Sequence, residues 1–202
     1  MALRYNKRYL YDDVQFVLLD NIGSYAVLSS ENTPFGERKQ TPLYSSAIGC
    51  PLDVTLVSSS LYLGPLDIDH IKNAIRVDDV HFPVTSLICI ENTHNKCHGY
   101  PLKLDYINQV CSLAQDNNIK VHMDGARLFN ACAALDVTAD TILKNVDSVT
   151  FCLSKGLSAP IGSVVCGSNS FIAEARRIRK SLGGGMRQTG IISAAGIVSL
   201  NT

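Results

Sequence analysis

"SVTFCLSKGLSAPIGS", residues 148–163, is the stretch on which the reading of this chain turns. An apolar, β-forming run stops at Ser154-Lys155-Gly156, and a second apolar run starts at Ile161. "SVTFCLS" and "IGSVVCG" each have the composition of a strand. Too few residues lie between them for a helical crossover, so the strands at 149–154 and 161–166 are expected to be antiparallel neighbours. Lys155 then sits at the mouth of their connection, flanked by Ser and Gly, with no acidic residue beside it.

Upstream, helical and strand patterns alternate. "DIDHIKNAIRV" (67–77) spaces Ile68, Ile71 and Ile75 by three and four, with Asp67 placed to cap. "TSLICIEN" (85–92) predicts a short strand, "LDYINQVCSLAQDNN" (104–118) a helix, and "IKVHMDG" (119–125) an alternating strand. "ADTILKNV" (139–146) and "FIAEARRIRKSL" (171–182) predict helices, the second stopped by three glycines. This alternation predicts an α/β protein whose largely parallel sheet is covered by helices. Ligands of such sheets bind beyond the carboxyl ends of the strands. Three of those ends are polar here: Glu91-Asn92, Asp124 and Ser154-Lys155.

The 202 residues are 46% hydrophobic and 18% charged, enough apolar material for one core. Eighteen basic and eighteen acidic side chains cancel, so charge provides no footprint for nucleic acid or an acidic membrane surface. The seven cysteines are odd in number and form no C-x-x-C pair, which suits free thiols in a reducing compartment. No signal-peptide pattern opens the sequence and no apolar run approaches membrane-spanning length, so a cytosolic protein is expected. Residues 1–62 are poorly patterned and read as an atypical, partly irregular leader; 63–202 read as one α/β unit.

A lysine desolvated at a strand end is a nucleophile suited to a Schiff base, and the commonest carbonyl partner is pyridoxal phosphate. That cofactor needs an acid on its ring nitrogen, for which Asp124 is the best placed, and Arg127 could meet a phenolate or carboxylate oxygen. Each residue also has a plainer reading. Lys155 could be a solvated edge residue, Asp124 a turn or cap residue, Arg127 half of a surface ion pair and His81 structural. "GGGMRQTG" (183–190) could stop a helix or form a phosphate nest. His94, Cys97 and His98 in "HNKCHG" suggest a metal, but no fourth ligand at suitable spacing accompanies them, and no metal is expected.

The order of these signals adds to them. "DDVHFP", "ICIENTHN", "VHMDGARLFNA", "FCLSKGLSAPIGS" and "RRIRKSLGGGMRQTGIISAAG" together resemble the successive motifs of the low-specificity threonine aldolases, β-eliminating lyases of the fold-type-I pyridoxal phosphate group. The resemblance runs from about Leu63 to Thr202. It implies an incomplete three-layer α/β/α large domain with a mostly parallel sheet. It implies pyridoxal phosphate bound covalently by Lys155, with Asp124 on the ring nitrogen and Arg127 on an oxygen of cofactor or substrate. It further implies His81 near the substrate's β-hydroxyl, and Lys180 and Arg187 as cations of the site, Arg187 from a neighbouring subunit. The implied reaction is aldol cleavage of L-threonine or L-allo-threonine to glycine and acetaldehyde, in a homodimer or homotetramer that binds neither nucleic acid nor membrane.

Several features depart from that pattern. Residues 1–62 contain no histidine and no Ser-Gly-Thr phosphate loop, Ser158 stands where the motif usually has Gly, and "NKCHG" is unlike the usual loop. The family's C-terminal domain, with its carboxylate-binding arginine, has no counterpart before Thr202. The expectation is therefore of a chain truncated at both ends relative to the family, binding cofactor weakly and turning over poorly. The alternatives are a non-catalytic isoform or paralogue that pairs with full-length subunits, and another fold-type-I activity such as β-elimination or racemisation.

Overall fold

The computed structural model describes residues 43–44, 51–52, 65, 67–79 and 85–202. His81 and most of the 1–62 leader lie outside them. Two short strands, β1 (Leu43–Tyr44) and β2 (Pro51–Leu52), pair antiparallel. The remaining elements are α1 (Ile68–Ala74), β3 (Leu87–Glu91), α2 (Leu104–Asp116), β4 (Lys120–Asp124), α3 (Leu128–Leu135), α4 (Ala139–Leu143), β5 (Ser148–Cys152), β6 (Ser163–Gly167), α5 (Asn169–Ser181) and α6 (Gly190–Asn201).

Strands β3 to β6 form one sheet in sequence order. The β3–β4 and β4–β5 pairs are parallel and β5–β6 is antiparallel, as the short Lys155 connection requires. Period-two alternation sorts the sheet into two faces. Ile90, Val121, Met123, Val149, Phe151 and Val164 all point one way and are buried. Helices α2, α3 and α4 cover that face. Ile107, Val110, Cys111 and Ala114 of α2 join Leu128, Ala131 and Cys132 of α3 and Ile142 of α4 in a single apolar cluster with it. Phe129 closes on Phe151 edge to face, ring centroids 5.3 Å apart at 81°. The opposite face carries Cys89, Glu91, His122, Asp124, Thr150 and Cys152, all partly exposed. On this side α5 packs only at β6, through Ile172 on Val165. Helices thus lie on both faces, and the second helical layer is incomplete among the described residues.

Helix ends follow local chemistry. Asp67 caps α1, its Oδ1 accepting from the Asp69 N–H at 3.0 Å. The helix stops before Ile75, whose ψ of 121° is extended, so it ends short of the 67–77 span the spacing predicts. Ser168 caps α5 by accepting from the Phe171 N–H at 3.3 Å. Two helices, α3 and α6, were absent from the sequence reading. "LFNACAAL" is short and almost continuously apolar, and "GIISAAGIVSLN" is apolar all round, so neither shows the one-sided pattern that marks an amphipathic helix.

Candidate functional site

Asp124 is the last residue of β4, between Glu91 of β3 and Thr150 of β5 in the pairing register. Its Oδ1 accepts from the Ala126 N–H at 3.0 Å, which closes a turn and holds the half-buried carboxylate at the sheet edge. The Asn92 N–H donates to the Asp124 carbonyl at 2.8 Å, and Asn92 Oδ1 accepts from the Leu102 N–H at 3.1 Å. Fully buried Asn92 thereby ties the β3 end and its following loop to the residue carrying the acid.

The chain leaves Asp124 through a very tight passage. The Gly125 N–H donates to the Thr150 carbonyl at 2.7 Å. A Cβ on Gly125 would lie 2.8 Å from that same oxygen and 3.1 Å from both Leu128 Cβ and Val149 Cγ2. Only glycine lets β4 turn into α3 here, and this turn delivers Arg127 to the N-cap position of that helix.

Lys155 occupies the apex of the β5–β6 connection. The legs of the loop are anchored by buried Leu153 and Ala159, with Leu153 N–H to Gly162 O at 2.9 Å and Ala159 N–H to Leu153 O at 3.0 Å. Between them the Ser158 N–H donates to the Lys155 carbonyl at 2.9 Å. A Cβ on Gly156 would press against the Asn130 amide, so the lysine loop leans on α3, the helix that follows Asp124. The sequence suggested a lysine desolvated at the end of a buried strand. The structure instead raises Lys155 on an exposed turn, because the strand pairing ends at Cys152, three residues earlier.

The three polar strand ends therefore do share one edge of one sheet. Lys155 follows the strand beside the one ending in Asp124, and Arg127 opens the helix against which the lysine loop rests. Lys180 lies in the last turn of α5 and Arg187 in the connection that follows it. Lys180 folds over the glycine loop, where a Cβ on Gly185 would lie 3.0 Å from its Cδ and 3.3 Å from its Nζ. Arg187 is exposed in the same connection. Among the described residues no hydrogen bond or ion pair joins either cation to Asp124, Arg127 or Lys155.

Two pairs near the edge went unnoticed in the sequence. His94 Nε2 lies 3.3 Å from Glu91 Oε2, an i,i+3 contact that "ENTH" contains. His122 Nδ1 lies 2.8 Å from Ser148 Oγ, one pleat back from Asp124 on the same face. Burial holds the His122 ring below its ordinary pKa against the opposing pull of Asp124, so the ring is neutral at pH 7. Burial, with a smaller push from Asp124, also raises the Cys89 thiol on this face. No group of three His, Cys, Asp or Glu side chains among the described residues could hold a metal ion. A primary amine, a carboxylate and a guanidinium on adjoining connections do fit an aldehyde cofactor with a basic ring nitrogen and an anionic oxygen. Asp124 suits that role because its turn engages Oδ1, and no hydrogen bond among the described residues occupies Oδ2.

Residues 16–202 match the family model described as "Beta-eliminating lyase". A low-specificity L-threonine aldolase of Arabidopsis thaliana is 49% identical over 139 residues, covering 68% of this chain and 39% of that protein. An alanine racemase of Cochliobolus carbonum is 37% identical over 147 residues, covering 73% of this chain and 36% of its own. A threonine aldolase structure from Leishmania major superposes with a TM-score of 0.59 at 20% identity, over 71% of this chain and 42% of that one. That last likeness is one of fold. The chain spans about two-fifths of the length of these relatives.

Proposed function

The chain belongs to the β-eliminating lyase family, and on that premise we propose that it forms part of a pyridoxal phosphate site for the aldol cleavage of L-threonine or L-allo-threonine to glycine and acetaldehyde. The observation that carries this reading is the placement of Asp124 and Lys155 at the ends of two adjacent strands on one edge of the sheet. Lys155 would hold the cofactor covalently, Asp124 its ring nitrogen and Arg127 an oxygen. When bound, the cofactor supplies an electron sink for the bond being broken.

The chain's own groups do the rest. The Asp124 carboxylate keeps the ring nitrogen protonated, because a fixed negative charge beside it favours the cationic form. Arg127 orients an anionic oxygen through its planar fork. His81, assigned by its "DDVHFP" motif, or a water it orders, accepts the β-hydroxyl proton as the Cα–Cβ bond breaks, and a proton returned to Cα completes glycine. Lys180 and Arg187 serve as further cations, Arg187 toward a second subunit of a homodimer or homotetramer. No helix among the described residues is long and apolar enough to cross a membrane, and six cysteines there are free thiols. The free thiols suit a reducing compartment, and on that ground the protein is read as cytosolic.

The test is chemical. The purified chain is incubated with pyridoxal phosphate, reduced with borohydride and mapped by peptide mass. A pyridoxyl group on Lys155 is expected, and a folded sample without it overturns the reading. The racemase relative favours a second activity on the same residues. Acetaldehyde released from threonine supports cleavage, whereas D-alanine formed from L-alanine supports racemisation.

A further inference from the structure

The strand that ends in Asp124 and the strand that leads to Lys155 share the shortest ladder of the four-stranded sheet. β4 and β5 pair through three residue pairs, while β3–β4 and β5–β6 each pair through five. Nothing in the proposed reaction uses His122 or Ser148, yet these residues face each other across that short ladder. Nδ1 of His122 and Oγ of Ser148 are 2.8 Å apart. Ser148 is 9% exposed, so water competes little for the bond. Among the described residues the other side-chain hydrogen bonds across this seam are those that Asp147, just before β5, accepts from Lys120 and Val121, at the end of the ladder away from Asp124. The pair also lies on the face that carries Asp124, two residues before it.

We propose that the His122–Ser148 hydrogen bond is a positioning brace that sets the separation of Asp124 from Lys155. The inference rests on the cofactor site proposed above. The brace need not touch the cofactor. It adds a side-chain tie on the Asp124 face to a ladder of three residue pairs, which Asp147 otherwise secures only at its far end through Lys120 and Val121, and both strands run directly from it into the site. A cofactor held at one end by Asp124 and at the other by Lys155 spans that separation. Slack in the ladder is then read out as weaker binding, because one of the two holds must be broken or strained to make the other.

Ser148→Ala removes the hydroxyl with little change of volume, and Ser148→Thr restores it. Pyridoxal phosphate affinity of the full chain is measured by absorbance titration, alongside the thermal midpoint and the yield of borohydride-fixed pyridoxyl on Lys155. Ser148→Ala is expected to lower affinity about tenfold and to reduce the Lys155 yield at fixed cofactor. Ser148→Thr is expected to recover most of both. His122→Phe approaches the bond from its other end, should Ser148→Ala not fold, and is expected to show the same loss. A folded Ser148→Ala or His122→Phe chain that binds as tightly as wild type overturns the brace, as does a Ser148→Thr chain as weak as Ser148→Ala. A lower thermal midpoint with unchanged affinity marks the bond as purely structural and overturns it too. A wild-type chain that takes no cofactor on Lys155 overturns the site and the brace together, which separates that failure from failure of the brace alone.

Discussion

Ser158 turns the lysine loop with a φ of +59°, in the left-handed region where a side chain is strained. Its N–H is committed to the Lys155 carbonyl, so the strain is held by the loop itself. Ser158→Gly is expected to raise stability by about 0.5–1 kcal/mol, net of the glycine's extra freedom when unfolded; chemical denaturation measures it. Two glycines of the site make the opposite case to different degrees. Gly125→Ala would drive a methyl into the Thr150 carbonyl and the Leu128 and Val149 side chains, none of which can yield cheaply. It is expected to cost about 2–3 kcal/mol and to displace Asp124. Gly156→Ala would meet only the exposed Asn130 amide, which can rotate, so it should cost less than half as much by the same measurement. The motif shows that Ser158 replaces a glycine, but only the backbone angle shows what the replacement does. In the same way "DGAR" displays Gly125 without the Thr150 oxygen that makes it obligatory, since that oxygen is 25 positions away in the chain.

Elements were legible where their patterns were one-sided. α2 buries Ile107, Val110, Cys111 and Ala114, the spacing its sequence shows, and the alternation of "KVHMD" sorts Val121 and Met123 from His122 and Asp124. The antiparallel β5–β6 pair followed from connection length alone. Helices α3 and α6 were missed because they lack polar contrast, and the partners of His122 and Asp147 because sheet register is a long-range property. Asp147 precedes β5 and reaches β4, with its Oδ2 accepting from the Val121 N–H at 2.9 Å and Oδ1 2.8 Å from Lys120 Nζ. Burial would raise its pKa, but the bonds from Lys120 and Val121 outweigh that and hold the carboxyl below its ordinary value. A depressed carboxyl pKa contributes stability above the unfolded value near 3.8 that is lost as pH falls through the folded value. Asp147→Asn should therefore flatten the stability profile below about pH 4. Lys120 is 73% exposed, so the ion pair itself adds no more than about 0.5 kcal/mol at neutral pH. A pH series of urea melts on both chains checks this, and an unchanged acid limb would refute it.

Across the whole molecule, apolar surface is distributed unevenly. α6 is apolar around its whole circumference, yet Ile191 is 90% exposed and Val198 61% exposed. Such a helix is ordinarily enclosed on all sides. Concentration-dependent association of the purified chain is expected, with Ile191→Glu plus Val198→Glu shifting light scattering toward the monomer. Unchanged association in the double variant would place the contact elsewhere. The sheet topology has another consequence, for the order in which the molecule assembles. β6 closes on β5 through residues as near in the chain as Cys152 and Ser163, whereas β4 meets β5 through His122 and Ser148, and β3 meets β4 through Leu87 and Lys120. Short loops close at lower entropic cost, so the hairpin that presents the lysine should form ahead of the parallel pairs. Pulse-labelled hydrogen exchange during refolding should then find the Leu153 amide protected before that of Gly125. The reactive amine would be presented before the carboxylate that gives it a purpose.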